Sequence, residues 1–229
     1  MTRVYKNSLV IALVLLSIIA FGQANEKKSQ SDSTNQWEIG LDLLWLIDKN
    51  QVPAKSIFIR RNFVDAAGKH KAWRLRIGVD NSYYDSTQTD GILPHDIDVN
   101  SILIRPGFEW QKKLSSKYTF FYGSDVHLFY WQEKFKKIYT IVPEPMLFTG
   151  TYKTWEVGLV GFLGFKYFPN KWFSISSESS LNLIYRLRRD ESNTGSAAYP
   201  ASSGHSNLSV DELKINVFPI SVINLCFKF

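Results

Sequence analysis

Apolar and polar positions alternate along most of this chain from Gln36 to its end. The clearest run is the last. Leu213, Ile215, Val217, Pro219, Ser221, Ile223, Leu225, Phe227 and Phe229 share one face. Lys214, Asn216, Phe218, Ile220, Val222, Asn224, Cys226 and Lys228 share the other. A period of two is the signature of a strand. Its seventeen residues are too many for an ordinary globular strand. They suit a strand that crosses a bilayer with one face to lipid and the other to a lumen.

Seven further stretches repeat the pattern. Trp37, Ile39, Leu41, Leu43, Trp45 and Ile47 oppose Glu38, Gly40 and Asp42. Ile57, Ile59 and Phe63 oppose Phe58, Arg60 and Asn62, with Arg61 on the apolar face, where snorkelling or a bulge would accommodate it. Trp73, Leu75, Ile77, Val79 and Tyr83 oppose Arg74, Arg76, Gly78 and Asp80. Ile102, Ile104, Pro106, Phe108 and Trp110 oppose Leu103, Arg105, Gly107 and Glu109, and the central proline predicts a bulge there. The remaining three run over 118–130, 155–167 and 173–185, with Asp125, His127, Glu156, Lys166 and Glu178 on their polar faces. Eight such segments predict an all-β fold, an eight-stranded antiparallel up-and-down transmembrane β-barrel over residues 36–229.

The connections alternate in length. Those at 84–96, 132–152 and 187–208 are long, while 64–71, 112–117 and 169–171 are short; only 48–54 breaks the rule by being short on the side of the long ones. Tight turns on the periplasmic side and long loops outside are the expected asymmetry of such a barrel. That topology gathers Trp37, Phe63, Trp73, Trp110, Tyr118, Tyr167, Trp172 and Phe229 at the periplasmic rim. Trp45, Tyr83, Tyr130, Trp155 and Tyr185 gather at the outer rim, as headgroup-level aromatic belts require.

The first residues carry an address. Arg3 and Lys6, the apolar run Leu9 to Phe21 and then small residues read as a secretory signal peptide over 1–24, with cleavage near 22–24. The thirteen-residue run is short for a membrane anchor. Asn25 to Asn35 has no apolar residue and reads as a flexible periplasmic arm. Without residues 1–24 the chain keeps 25 bases and 21 acids, a net charge of +4. Export excludes nucleic acid as a partner. The one cysteine, Cys226, has no intrachain partner, and neither metal nor cofactor is expected.

The signal peptide, the eight segments, the aromatic end and the stretches FFYGSDVHLFYW and FLGFKYFPNKWFSISSESSLNLIY resemble the small outer-membrane β-barrel family common in Bacteroidetes, similar in size to OmpA/OmpX-type barrels. The resemblance implies integral residence in the bacterial outer membrane, with membrane lipid as solvent. It also implies that Phe227 and Phe229 form an insertion signal read by the barrel-assembly machinery.

Candidate chemistry is confined to the inner face. Its acids are Glu38, Asp42, Asp80, Glu109, Asp125, Glu156 and Glu178, and its bases Arg60, Arg74, Arg76, Arg105, Lys166, Lys214 and Lys228. Seven against seven, in a lumen only wide enough for side chains, predicts a paired charge network rather than an ion path. His127, beside Asp125, fits that network better than a general base. His205-Ser206-Asn207 looks like the His-x-Ser-Asn motif of outer-membrane lipid A deacylases, but adjacent strand residues point opposite ways. The turn-rich surroundings predict a solvated loop there and no catalytic residues.

The stretch 132–150 is unusually apolar for an outer loop. A hairpin extension to about Ile141, followed by an irregular tip, would make Ile141, Val142, Met146, Leu147 and Phe148 either internal packing or contacts for an envelope partner. The expected role is a surface or scaffold protein, or a subunit of an envelope complex; a lipid A-modifying enzyme and a small channel are the rivals. If Phe229 is the assembly signal, its deletion leaves unfolded protein in the periplasm. Loss of heat-modifiable migration on gels checks this, and unchanged modifiability contradicts it.

Overall fold

The computed structural model describes residues 36–43, 56–86, 95–139, 146–196 and 204–229. The signal peptide, the arm, Trp45, Ile47 and the tip residues Ile141 and Val142 lie outside them. Eight strands follow in order: β1 Gln36–Asp42, β2 Ser56–Val64, β3 His70–Ser86, β4 His95–Lys113, β5 Tyr118–Tyr139, β6 Met146–Tyr167, β7 Phe173–Ser196 and β8 Gly204–Lys228. Each pairs antiparallel with its chain neighbour, and β8 returns to β1, so the barrel is closed.

Alternation explains the two faces. Ile77, Val79, Val157, Leu159, Leu183, Ile215 and Val217 stand exposed on the outside. Arg60, Arg74, Glu109, Lys166 and Glu178 are buried inside. This inversion of a soluble protein is stable only where lipid replaces water around the wall. Aromatic rings bound the apolar band. At the lower rim Trp73, Phe108, Trp110 and Tyr122 contact in succession at 4.9, 4.8 and 5.7 Å between centroids, and Tyr118 stacks on Tyr167 at 5.0 Å. At the upper rim Tyr130 meets Trp155 at 4.2 Å. There the hydroxyls of Tyr83 and Tyr185 donate to Asp96 (2.7 Å) and Asp211 (3.2 Å). A closed, even-stranded barrel of this polarity is the outer-membrane architecture. The chain is an integral outer-membrane barrel.

The lower turns are tight. In the β2–β3 turn Asp65 accepts from the N–H groups of Ala67 and Lys69, both at 2.9 Å, and Gly68 takes φ 74°. That left-handed backbone favours glycine. Arg61 lies over the Trp37 ring at 5.6 Å with its register unbroken, so snorkelling, not a bulge, accommodates it.

Three expectations change. The described residues of 84–96, 132–152 and 187–208 are strand: β5 to β8 run 22 to 25 residues and rise beyond the membrane band. Met146, Leu147 and Phe148 therefore belong to β6, opposite Tyr139, Ile138 and Lys137, and not to an irregular tip. His205, Ser206 and Asn207 likewise lie in β8, opposite Asn193, Ser192 and Glu191. Above the bilayer both faces of a strand are wet, so nothing imposes alternation on the sequence.

The third change concerns the bulge. Pairing of β4 with β5 stops at Ile104–Leu128 and resumes at Gly107–Asp125 in the same register, so Pro106 interrupts the ladder without shifting it. The irregularity falls at Pro219, where Pro219, Ile220 and Ser221 of β8 oppose Ser179 alone. Proline cannot donate to the ladder. Ser179 Oγ donates to the Pro219 carbonyl instead, and Ser221 Oγ to the Glu178 carbonyl at 3.1 Å. The surplus of two residues keeps parity.

Inside, buried rings sit against glycines of facing strands. A Cβ on Gly164 would lie 2.6 Å from Phe121 Cζ and press on the Ser177 carbonyl oxygen. One on Gly123 would lie 2.7 Å from Phe162 Cζ. Gly164→Val therefore overfills the interior at a cost of about 1–3 kcal/mol. A lower urea midpoint of the folded barrel checks this; an unchanged midpoint means the interior yields freely.

Candidate functional site

The inner face divides into a closed lower layer and an open upper one. In the lower layer one continuous ion-pair chain crosses the lumen. Lys228 Nζ approaches Glu38 Oε1 (3.9 Å), and Arg60 joins Glu38 (2.8 Å) to Glu109 (2.9 Å). Arg74 joins Glu109 (3.3 Å), Asp125 (3.1 Å) and Glu178 (2.8 Å). Arg76 joins Glu178 (3.8 Å) to Asp42 (3.2 Å). Lys166 closes on Glu38 at 3.3 Å. Five cations and five carboxylates thus neutralise one another in this chain.

Hydrogen bonds from neutral side chains add to three of the carboxylates. Asn62 Nδ2 donates to Glu38 Oε1 (2.9 Å), Gln111 Nε2 to Glu109 Oε1 (2.7 Å) and Asn224 Nδ2 to Glu178 Oε1 (3.2 Å). The cations also lie on rings. Arg74 Cζ is 3.8 Å from the Phe162 centroid, and Arg60 Cζ is 4.6 Å from Phe58 and 5.3 Å from Phe121. Such stacking adds to ion pairing where both groups are out of water. The lumen is therefore aromatic as well as charged, a feature that counting charges alone passes over.

The predicted network residues separate accordingly. Glu38, Asp42, Arg60, Arg74, Arg76, Glu109, Asp125, Lys166 and Glu178 meet in the lower chain. Asp80 stands apart from it, accepting from Ser82 Oγ at 3.0 Å. Lys214 pairs with Glu212 at 3.0 Å near the mouth. Arg105, His127 and Glu156 form a second group. His127 bonds neither Asp125 nor any nucleophile; Arg105 Nε–H donates to its Nδ1 (2.8 Å). The neutral ring then carries its proton on Nε2, which donates to Glu156 Oε2 at 3.2 Å. Arg186, unanticipated from sequence because it follows the last membrane-level tyrosine, grips Glu156 Oε1 with Nε (2.6 Å) and Nη2 (2.5 Å).

Above this group opens a cavity of about 510 Å³. Arg105, Arg186, Arg188 and Glu156 line it together with Phe129, Trp131, Phe218, Thr154, Ser180, Asn182 and Ser221. The deacylase-like pair is elsewhere and does not converge. His205 and Ser206 are exposed neighbours on one strand, and the His205 ring nitrogen Nδ1 contacts Asn193 Oδ1 at 2.6 Å.

No family model matches the chain, and no curated protein matches it. Solved structures give weak likenesses, each at 7% identity. A major outer membrane protein from Thermus thermophilus is matched over 85% of this chain and 98% of that one, with a TM-score of 0.44. CarO of Acinetobacter baumannii is matched over 88% and 98%, with a TM-score of 0.35. LpxR from Salmonella typhimurium is matched over 85% and 99%, with a TM-score of 0.27. Likenesses at this level carry no argument about activity. The small eight-stranded barrel stands on its own geometry.

Arg74 serves three carboxylates at once, so Arg74→Met strands buried charge and costs about 3–5 kcal/mol. Lys153→Met, which removes a half-exposed partner of Glu191, costs less than about 1 kcal/mol. Urea unfolding in lipid measures both. Equal shifts would mean that the lower chain adds no more than a surface pair.

Proposed function

We propose that this chain is a non-catalytic outer-membrane barrel of the Bacteroidetes type, a surface or scaffold component of the cell envelope acting through the sheet it raises above the membrane. The observation that carries this reading is the ion-pair chain across the lower lumen. A protein built to conduct leaves a water path, whereas here guanidinium groups, carboxylates and Phe58, Phe121 and Phe162 occupy the barrel interior. The lower lumen is spent on closure.

What remains for function is the outer part. From Tyr185 to Ser196, β7 extends roughly 25 Å above the upper aromatic belt, taking about 3.3 Å per residue and a tilt of about 45°. The β5–β6 hairpin rises beside it, fully paired to Tyr139–Met146. Leu147 and Phe148 are half-buried near its apex, and with Ile141, Val142 and Met146 they form the proposed partner contact. The adjacent His205 and Ser206 face opposite ways, which speaks against a deacylase pair.

Planar bilayers containing the purified protein should show no stable conductance; reproducible long-lived openings would return the small channel to first place. The scaffold role is tested by replacing residues 136–149 with Asn-Gly, which leaves Phe135 opposite Gly150 across a two-residue turn. The shortened barrel should fold, as judged by heat-modifiability, and lose a stoichiometric partner that the full chain retains from native membranes. Retention of that partner by the shortened form, or absence of one from both, counts against the contact.

A further inference from the structure

Arg105 differs from every cation of the lower chain. Its Nε–H is engaged by a neutral imidazole nitrogen, and its terminal nitrogens have no hydrogen bond or carboxylate among the described residues. The nearby carboxylates are committed: Asp125 to Arg74 Nε (3.1 Å), and Glu156 to Arg186 and His127. This guanidinium is half-buried, lines the cavity and keeps donors for an anion.

The rest of the wall has a consistent chemistry. Three guanidinium groups face the space against the single carboxylate of Glu156. Arg188 reaches it while held by Asp190 at 2.8 Å. Phe129, Trp131 and Phe218 supply ring surface, and Thr154, Ser180, Ser221 and Asn182 supply hydroxyl and amide groups. The Pro219 bulge contributes directly, since Phe218 and Ser221 flank it and both border the cavity. A concave space of about 510 Å³ with ring surface and a few converging polar groups has the size and make-up of a small-molecule site.

We propose that this upper cavity binds a small organic anion, a phosphate or carboxylate ester-sized molecule whose charged head pairs with Arg105 and whose flat body lies against Phe129, Trp131 and Phe218. Guanidinium offers two parallel N–H donors to an oxyanion, the geometry that phosphate and carboxylate accept best. Arg186 and Arg188 provide the attractive field but have partners of their own, so Arg105 sets the position of the head. Because the cavity lies above the closed layer, occupancy requires no passage through the barrel. The proposal does not depend on the scaffold reading.

The test uses the full mature barrel in zwitterionic lipid and titrates phenyl phosphate, inorganic phosphate and phenol by calorimetry at low salt. Phenyl phosphate should bind the native protein, and Arg105→Gln should weaken it by about ten-fold or more, the loss expected for a charge-assisted pair. Trp131→Leu should weaken phenyl phosphate while leaving inorganic phosphate unchanged. This second variant keeps the question open if Arg105→Gln does not fold. Equal affinity in native and Arg105→Gln protein, indifference to Trp131→Leu, or no binding of either phosphate would overturn the proposal. The source of the anion is read by native mass spectrometry of protein drawn from its own membrane. A retained phospholipid or lipopolysaccharide fragment identifies a headgroup, and a retained free organic acid or phosphate ester identifies a soluble ligand. Repeating the titration with vesicles containing phosphatidylglycerol should give Arg105-dependent competition only if the source is a headgroup.

Discussion

The structure depends on a mismatch between the barrel's width and its contents. Eight strands enclose room for side chains but not for bulk water around each of them. In the lower lumen every charge therefore finds an opposite charge on another strand. Glu38 illustrates the solution, since β1 supplies the carboxylate, β2 supplies Arg60, β6 supplies Lys166 and β8 supplies Lys228. No two of these residues are close in sequence except through the register of the sheet. The register is thus fixed twice, by the outward apolar faces and by the inward pairing of charge.

Where lipid touched the wall, the sequence was legible. Ile77, Val79, Leu159, Leu163 and Leu183 sit where alternation predicted, because hydrocarbon admits only apolar side chains at those positions. While the upper cavity gathers three guanidinium groups against Glu156, the balance of charge in the lower lumen was legible too. The partners were not. That Arg74 meets Glu178, 104 residues away, depends on tilt and stagger, which alternation does not report. The strand ends failed for a different reason: RLRRDESNTGS and GHSNLSVDEL are paired strands in water on both sides, so they read as loops. Pro106 and Pro219 carry the same local signal, and only the register of each neighbouring ladder separates them.

The interior holds two environments one above the other. Below, each of the five cations has a carboxylate within 3.9 Å, and rings pack against the guanidinium groups. Above, the same residue types are present but incompletely matched, with Arg105 served by an imidazole instead of a carboxylate. His127 joins the two sides of that upper layer by accepting from Arg105 and donating to Glu156. It orients both groups without any change of charge.

The seam between β1 and β8 joins five residue pairs among the described residues, Glu38–Lys228 to Asp42–Asn224, whereas β7 and β8 are paired along nearly their whole length. The shortest ladder is also the one that brings Glu38 to Lys166 and Lys228. Until that seam closes, β6 and β8 present ammonium groups with no carboxylate from β1, so a nearly complete sheet keeps an electrostatic penalty that the last few pairings remove together. Closure is consequently cooperative: the barrel's final hydrogen bonds and its charge neutrality arrive in the same event, and an open-seamed form has little to hold it.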